Sequence, residues 1–157
     1  MLNNDWLAIS LYLGFIIAIG LPVILLKVRF NVPIEVLRKM YHMVIALTIF
    51  PLVILFDAWY MAVVADLLLV ILAYPLLRLL ENTSFFKRVA VESSGGEFKK
   101  SLIIVQASIA LLIFIFWGLL GPAWKYIAVV AVMAWSFGDA AAALVGKRFG
   151  RHRIEHP

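Results

Sequence analysis

The sequence predicts an all-α, polytopic membrane helix bundle of about five transmembrane helices, with the N-terminus outside and the C-terminus cytoplasmic. Three observations predict it. The 157 residues are 65% hydrophobic and only 15% charged, with a mean hydropathy of +1.04. A water-soluble domain is nearer 45–50% apolar and about 25% charged. The apolar residues gather in five runs, each near the roughly 20 residues that span a hydrocarbon core. The basic residues gather on one side of an alternating arrangement of those runs.

The first run, Trp6 to Leu26, follows Met-Leu-Asn-Asn-Asp with no basic n-region, and it is too long for a cleaved signal. It reads as a retained span. The second, Val36 to Phe56, opens after Asn31-Val-Pro33, where proline suits a first helical turn. Counted from His42 this span is short, so its first turn emerges from the membrane. Asp57-Ala58 marks a tight turn into the third run, Trp59 to Leu80. A polar stretch from Glu81 to Ser101, with Ser93-Ser94-Gly95-Gly96 at its centre, reads as a loop before Leu102 to Leu120. Gly121-Pro122 turns the chain into the fifth run, Ala123 to Val145. The whole of 1–157 reads as a single membrane domain with no internal repeat.

Charge sets the expected orientation. Lys27, Arg29, Arg38 and Lys39 flank the first connection. Arg78, Lys87, Arg88, Lys99 and Lys100 flank the third, and Lys147, Arg148, Arg151 and Arg153 follow the fifth span. Only Lys125 of the 14 basic residues falls on the other side. Trp6, Trp59, Trp117 and Trp124 fall near the expected outer ends, as an interfacial aromatic belt would. The net charge of +5 is thus a topology signal, and it does not point to nucleic acid. The absence of cysteine excludes a disulfide framework and a thiolate metal site.

Within this frame a few residues are chemically expensive. Asp139 stands in an apolar span, where a carboxylate costs a few kcal/mol or more, and such a residue marks a functional site by default. Ser136, Asp139, Ala143 and Gly146 recur at helical spacing, so they share one face. Asp139 lies about 10 Å from the end of that helix at 1.5 Å per residue. As a site it would anchor Mg²⁺, which takes one or two carboxylates plus substrate phosphates. As plain structure it would be a satisfied acid in a small-residue packing seam. Gly146-Lys147-Arg148-Phe149-Gly150 reads as a basic glycine loop suited to phosphate, or as an ordinary positive-inside flank.

Two further clusters fall on the same expected side. Arg38-Lys39-Met-Tyr-His42 sets two cations and an imidazole at the mouth of the second span, with Arg38 and His42 one turn apart. His42 suits a general base or a phosphate contact, against snorkelling cations beside a hydrogen-bonded histidine. Glu92 to Ser101 mixes Glu97, Lys99 and Lys100 with glycines, as a metal–nucleotide loop or a solvated one. Asp66 lies nearer the outer end of its span and suits a helix partner or a backbone group. His152 and His156 are spaced as a metal pair but read as part of a solvated basic tail. No nucleophile elbow, Walker loop or zinc motif is present.

At Arg38-Lys39-x-x-His42, Gly96-Glu97-x-Lys99-Lys100-Ser101 and Gly138-Asp139-Ala140-x-Ala142 continuing to Gly146-x-x-Phe149-Gly150, the chain resembles a family of membrane lipid kinases. These include phytol kinase, dolichol kinase and CTP-dependent diacylglycerol kinase, and they are similar in turn to phosphatidate cytidylyltransferase. The resemblance runs from about Val32 to the C-terminus. It implies phosphoryl transfer from a nucleoside triphosphate, often CTP, to a membrane alcohol such as a polyprenol, phytol or diacylglycerol. The alternative is attack of phosphatidate on CTP to make CDP-diacylglycerol.

Mg²⁺ is the implied cofactor, and a membrane lipid and a nucleoside triphosphate are the implied partners. Carried over by motif, Asp139 holds Mg²⁺ and the triphosphate, with Gly138 and Gly146 at the phosphate site. Lys147, Arg148, Lys99 and Lys100 stabilise phosphate charge, and Glu97 organises the loop or the metal. Arg38, Lys39 and His42 complete the cytoplasmic mouth. The family pattern continues into Lys-[Thr/Ser]-x-Glu-Gly and further helices, whereas this sequence runs to Arg151-His-Arg-Ile-Glu-His-Pro157. The resemblance therefore implies that a further segment, or a homo-oligomer partner, completes the nucleotide site. Outside this family, a small transporter subunit with Asp66 and Asp139 on a polar path, or a non-catalytic membrane scaffold, would fit the same composition.

Overall fold

The computed structural model describes residues 5–30, 32–83 and 97–149. Among them the chain is helical with no strand, and five helical stretches are long and apolar enough to cross a membrane. In chain order the helices are α1 (Asp5–Arg29), α2 (Ile34–Leu47), α3 (Ile49–Leu55), α4 (Trp59–Leu80), α5 (Glu97–Ile113) and α6 (Lys125–Phe149). A π-helical turn, Phe114–Leu119, extends α5, and a 3₁₀ turn, Pro122–Trp124, precedes α6. The expected spans are present, and several run a few residues past the apolar core at the ends.

Short connections force neighbouring spans to run antiparallel, because they are too short to recross a hydrocarbon core. The connections Phe30–Pro33, Phe56–Ala58 and Leu120–Gly121 all meet that condition. An ion pair between Lys99 and Glu81 brings the start of α5 to the end of α4, so this pair is antiparallel as well. Gly121 turns the chain with φ +103°, a backbone conformation that costs glycine nothing.

The second span is broken. Thr48 separates α2 from α3, its N–H bonding to the Ile45 carbonyl at 3.1 Å. The cause is Pro51, one turn into α3. It has no N–H to offer the Leu47 carbonyl and its ring crowds that position, so the ladder is interrupted there. The Thr48 hydroxyl donates to the Ile45 carbonyl at 2.6 Å and re-satisfies part of the gap, as hydroxyl residues do in broken membrane helices.

Packing is uneven. The main core joins Tyr12, Ile49, Leu52, Phe56, Ala65 and Ile113 among others, around α3 and the helix segments beside it. A thin second cluster, Val23 and Leu37 with Met40, Tyr41 and Val44 against them, lies toward the first connection. Most large apolar side chains outside these clusters are exposed, Leu79 at 78% and Ile71 at 66% among them. Water would penalise that surface heavily, whereas lipid tails are as apolar as leucine and do not. Helix contact here therefore rests on shape and polar ties.

Close fit is visible at Gly118, where an added Cβ would come within 3.2 Å of the Trp59 ring. Trp59 also meets Phe114 edge-on at 5.5 Å. Trp6 and Trp124 are exposed as belt residues should be, but Trp117 is buried at 4% exposure. The π turn carries Trp117 inward, and Lys125 sits 5.0 Å over its ring. Lys125 also donates to the Val53 carbonyl at 3.0 Å, near the end of α3, where carbonyls lack intrahelical partners. The one basic residue that departs from the charge pattern thus ties α6 to α3.

Candidate functional site

The start of α2 meets the last third of α6. One turn of α2 places Lys39 and His42 on the side facing α6, where Asp139 comes within reach. Lys39 Nζ forms an ion pair with Asp139 Oδ2, across 100 residues of sequence. His42 Nδ1 stands 4.0 Å from the same oxygen. The His42 ring stacks on Trp135, one turn before Asp139, with centroids 6.1 Å apart and planes 27° from parallel. The aromatic wall leaves the imidazole little freedom to rotate, so its ring edge stays directed at the carboxylate.

Burial grades across this group. The side chain of Lys39 is 13% exposed, that of His42 25% and that of Asp139 44%. The carboxylate therefore keeps an open side while its cation is largely enclosed. Arg38, the neighbour of Lys39, is exposed at the same mouth. Two clusters read separately in the sequence are one constellation: cation, imidazole and carboxylate from two helices.

Behind Trp135 an apolar groove of about 230 Å³ runs between α5 and α6, lined by Ile104, Ser108, Leu112, Ala131 and Trp135 among others. Buried Val105, Ile109 and Val132 line it together with these more exposed side chains, and Ser108 spends its hydroxyl on the Ile104 carbonyl at 2.8 Å. The groove therefore offers almost nothing polar except at the Trp135 end. A flexible apolar chain fits such walls; a charged solute does not.

Three sequence expectations come out differently. The buried stripe of α6 is Val129, Val132, Ser136 and Ala140. Ser136 is on the packing face, with its hydroxyl unpartnered, while Asp139, Gly138 and Gly146 are exposed. Asp139 is thus one position off the packing seam, and the satisfied-acid-in-a-seam alternative does not describe it.

The expected basic loop from Gly146 is helix as far as Phe149. Lysine, arginine and phenylalanine all tolerate helix, and one glycine costs only about 1 kcal/mol relative to alanine. Backbone N–H groups committed to a helix do not form a glycine cradle, so Gly146 serves at most as open space beside the site. Among the described residues, no side chain lies within 4 Å of where its Cβ would stand. The side chains of Lys147 and Arg148 lie outside the described residues.

Lys99 pairs with Glu81, joining the ends of α5 and α4. This partner was not singled out in the sequence, although eighteen residues separate the two and the polar stretch begins at Glu81. Lys100 is exposed at the same end of the bundle. Glu97 opens α5, but its side chain lies outside the described residues, as do Lys87, Arg88, the 92–96 stretch and everything from Gly150 onward. No described ion pair joins this third cluster to Asp139.

As a metal site the described residues offer one carboxylate. No group of three or more His, Asp or Glu side chains gathers among them. That donor set suits a magnesium ion carried in by phosphates, which needs only one or two protein carboxylates. It does not suit an ion held by protein alone.

A second acid is placed quite differently. Asp66, in α4, is fully buried and accepts a hydrogen bond from Gln106 Nε2 of α5 at 2.9 Å. The expected helix partner is therefore Gln106. Tyr12 of α1 and Thr48 at the α2–α3 break are buried against the same group.

Among known proteins, no family profile, characterised protein or solved structure matches this chain. The family resemblance drawn from its motifs consequently enters the functional argument as a proposal.

Proposed function

We propose that the chain is the membrane portion of a lipid kinase that transfers a phosphoryl group from a nucleoside triphosphate, CTP by the motif resemblance, to a membrane alcohol. The observation that carries this reading is the convergence of Lys39, His42 and Asp139 beside Trp135, which stacks on His42 and lines an apolar groove. A lipid alcohol needs that combination: an apolar seat for its chain, a base for its hydroxyl, and charge to manage phosphate. The basic residues that flank this end support a cytoplasmic placement by the positive-inside rule, on the side where nucleotides are found.

Each residue then has a defined task. The lipid chain lies along the groove between α5 and α6, and Trp135 closes its polar end. His42, neutral and held by Trp135, accepts the hydroxyl proton as the lipid oxygen bonds to the γ-phosphorus. The bond from that phosphorus to the β-phosphate oxygen breaks, and the nucleoside diphosphate leaves. Asp139 would hold Mg²⁺ brought with the triphosphate, which neutralises phosphate charge when bound. Lys39, paired with Asp139 in this structure, would turn its ammonium to the phosphates, with Arg38 beside it. Such catalysis is chiefly placement and charge stabilisation, and these residues supply both.

His42 also favours kinase over cytidylyltransferase chemistry. An alcohol must lose a proton to attack phosphorus, whereas a phosphate nucleophile is already ionised and has no use for a base at that position.

The test uses purified protein with labelled CTP or ATP, Mg²⁺ and a panel of polyprenol, phytol, diacylglycerol and phosphatidate. Label from the γ-phosphate in an alcohol, lost in Asp139→Asn and His42→Ala, is the expected result. CDP-diacylglycerol formation from phosphatidate, or phosphorylation that survives Asp139→Asn, would overturn the reading.

A further inference from the structure

The second acid lies in the opposite half of the bundle, and the kinase reading has no use for it. Asp66 is seven residues into α4 and Tyr12 seven into α1, while Thr48 is seven before the end of α3. Each stands about 10 Å in from the end marked by Asp5, Trp59 and Leu55, at 1.5 Å per residue. With Gln106 they form a polar group contributed by α1, the α2–α3 break, α4 and α5. Exposures are 0% for Tyr12, Asp66 and Gln106 and 2% for Thr48. No lysine, arginine or histidine forms a described ion pair with Asp66.

The hydrogen bonding is lopsided. Gln106 turns its amide nitrogen to Asp66 Oδ1, and Thr48 spends its hydroxyl proton on the Ile45 carbonyl. Two buried oxygens, Asp66 Oδ2 and Gln106 Oε1, are left without a hydrogen-bond partner. The Tyr12 hydroxyl lies against the side chains of Thr48 and Gln106 and within electrostatic reach of Asp66. A carboxylate, an amide and two hydroxyls hold far more lone pairs than protons. Buried polar atoms are nearly always satisfied, and an exception calls for a missing partner. A carboxylate oxygen and an amide oxygen left open in one buried group suit an electropositive partner.

We propose that Tyr12, Thr48, Asp66 and Gln106 form a binding site for a dehydrated monovalent metal cation such as Na⁺. Oxygen donors suit a hard cation. One carboxylate neutralises one positive charge, whereas a divalent ion would leave net charge in an apolar interior at severe cost. The broken helix is also apt, because interrupted membrane helices supply coordinating oxygens at depth. The site is independent of the phosphoryl-transfer reading and stands if that reading fails.

The test is thermal unfolding of the purified wild-type protein, followed by tryptophan fluorescence, as choline chloride is replaced by NaCl or KCl at constant ionic strength. Linkage predicts a saturable rise in Tm of about 5–10 °C at one hundred times the Kd. Asp66→Asn keeps the Gln106 contact without the charge. It should match or exceed wild type in choline and lose the response, and ²²Na⁺ retained by wild type at one ion per chain should be absent from it. Indifference of wild type to both alkali cations, or an undiminished response in Asp66→Asn, would overturn the proposal. So would a Tm that ignores Na⁺ and K⁺ but depends on pH through Asp66, because the occupant would then be a proton.

Discussion

Two aspartates in one bundle show how depth and packing decide what an acid does. Asp139 is open on one side, paired with Lys39, watched by His42, and set where packing is thin. Asp66 is sealed, bonded to one amide, and set in the main core beside Ala62 and Ala65. The first has its charge balanced by protein and its oxygens accessible, so it is available to a substrate. The second has one oxygen, Oδ2, that no described protein atom satisfies, so it suits something small that stays. An open, balanced acid suits turnover, and a closed, unbalanced one suits occupancy.

The sharpest way to break the contrast is Asp139→Asn. Turnover of a lipid alcohol should fall by about 10³-fold, since removing one charge-stabilising group at a phosphoryl-transfer site costs on that order. Tm should fall only slightly, as the lost carboxylate is nearly half exposed and pairs with an exposed partner contribute about 0–1 kcal/mol. A large fall in Tm would make Asp139 structural and collapse the distinction.

The converse change, Asp66→Ala, should leave turnover within a few-fold while lowering stability by about 1–3 kcal/mol, because it strands the Gln106 amide in the core. Denaturation against SDS mole fraction reads this directly, and unchanged stability would mean that Asp66 is not integrated as described. A smaller effect is expected from Trp135→Ala. It should raise the KM for the lipid about tenfold, loosen His42 and leave the KM for nucleotide unchanged. Equal rises in both would place the groove outside the lipid path.

A last pair of changes compares packing in the two halves. Gly118→Val should destabilise by about 1–3 kcal/mol, because it presses on Trp59. Gly146→Ala meets open space and should stabilise its helix by about 1 kcal/mol. The pair is measured in one set of unfolding curves, and equal signs would deny that the two ends differ in tightness.

The five spans were readable because their lengths and apolar runs obey one constraint, the thickness of hydrocarbon. The break at Thr48 was also within reach, since Pro51 stands one turn after it, but the run is apolar enough to read as continuous. The buried stripe of α6 was misread because serine, alanine and glycine look equally small at several helical phases. Only packing chooses between Ala140 and Asp139 for the seam. The inward turn of Trp117 depends on a π turn that no residue pattern announces. Lys39 and Asp139 were each singled out, yet their pairing across 100 residues is a property of helix register and not of either local sequence. Gln106 drew no attention because an amide in a span carries no charge to mark it.

Register itself has a source in the two polar ties between the second span and α6. Fourteen residues separate Lys39 from Val53 on one side, and fourteen separate Lys125 from Asp139 on the other. Lys39 meets Asp139 at one end, and Lys125 meets the Val53 carbonyl at the other. At 1.5 Å per residue each arm measures about 21 Å. Two pegs at equal spacing make a gauge: apolar surfaces alone would slide past one another in lipid, and the pegs, each worth little in stability, favour one alignment. Adding or deleting one residue in either arm shifts the far peg by about 1.5 Å and turns it by about 100°. The position of His42 against the carboxylate is therefore metered from a lysine at the far side of the membrane.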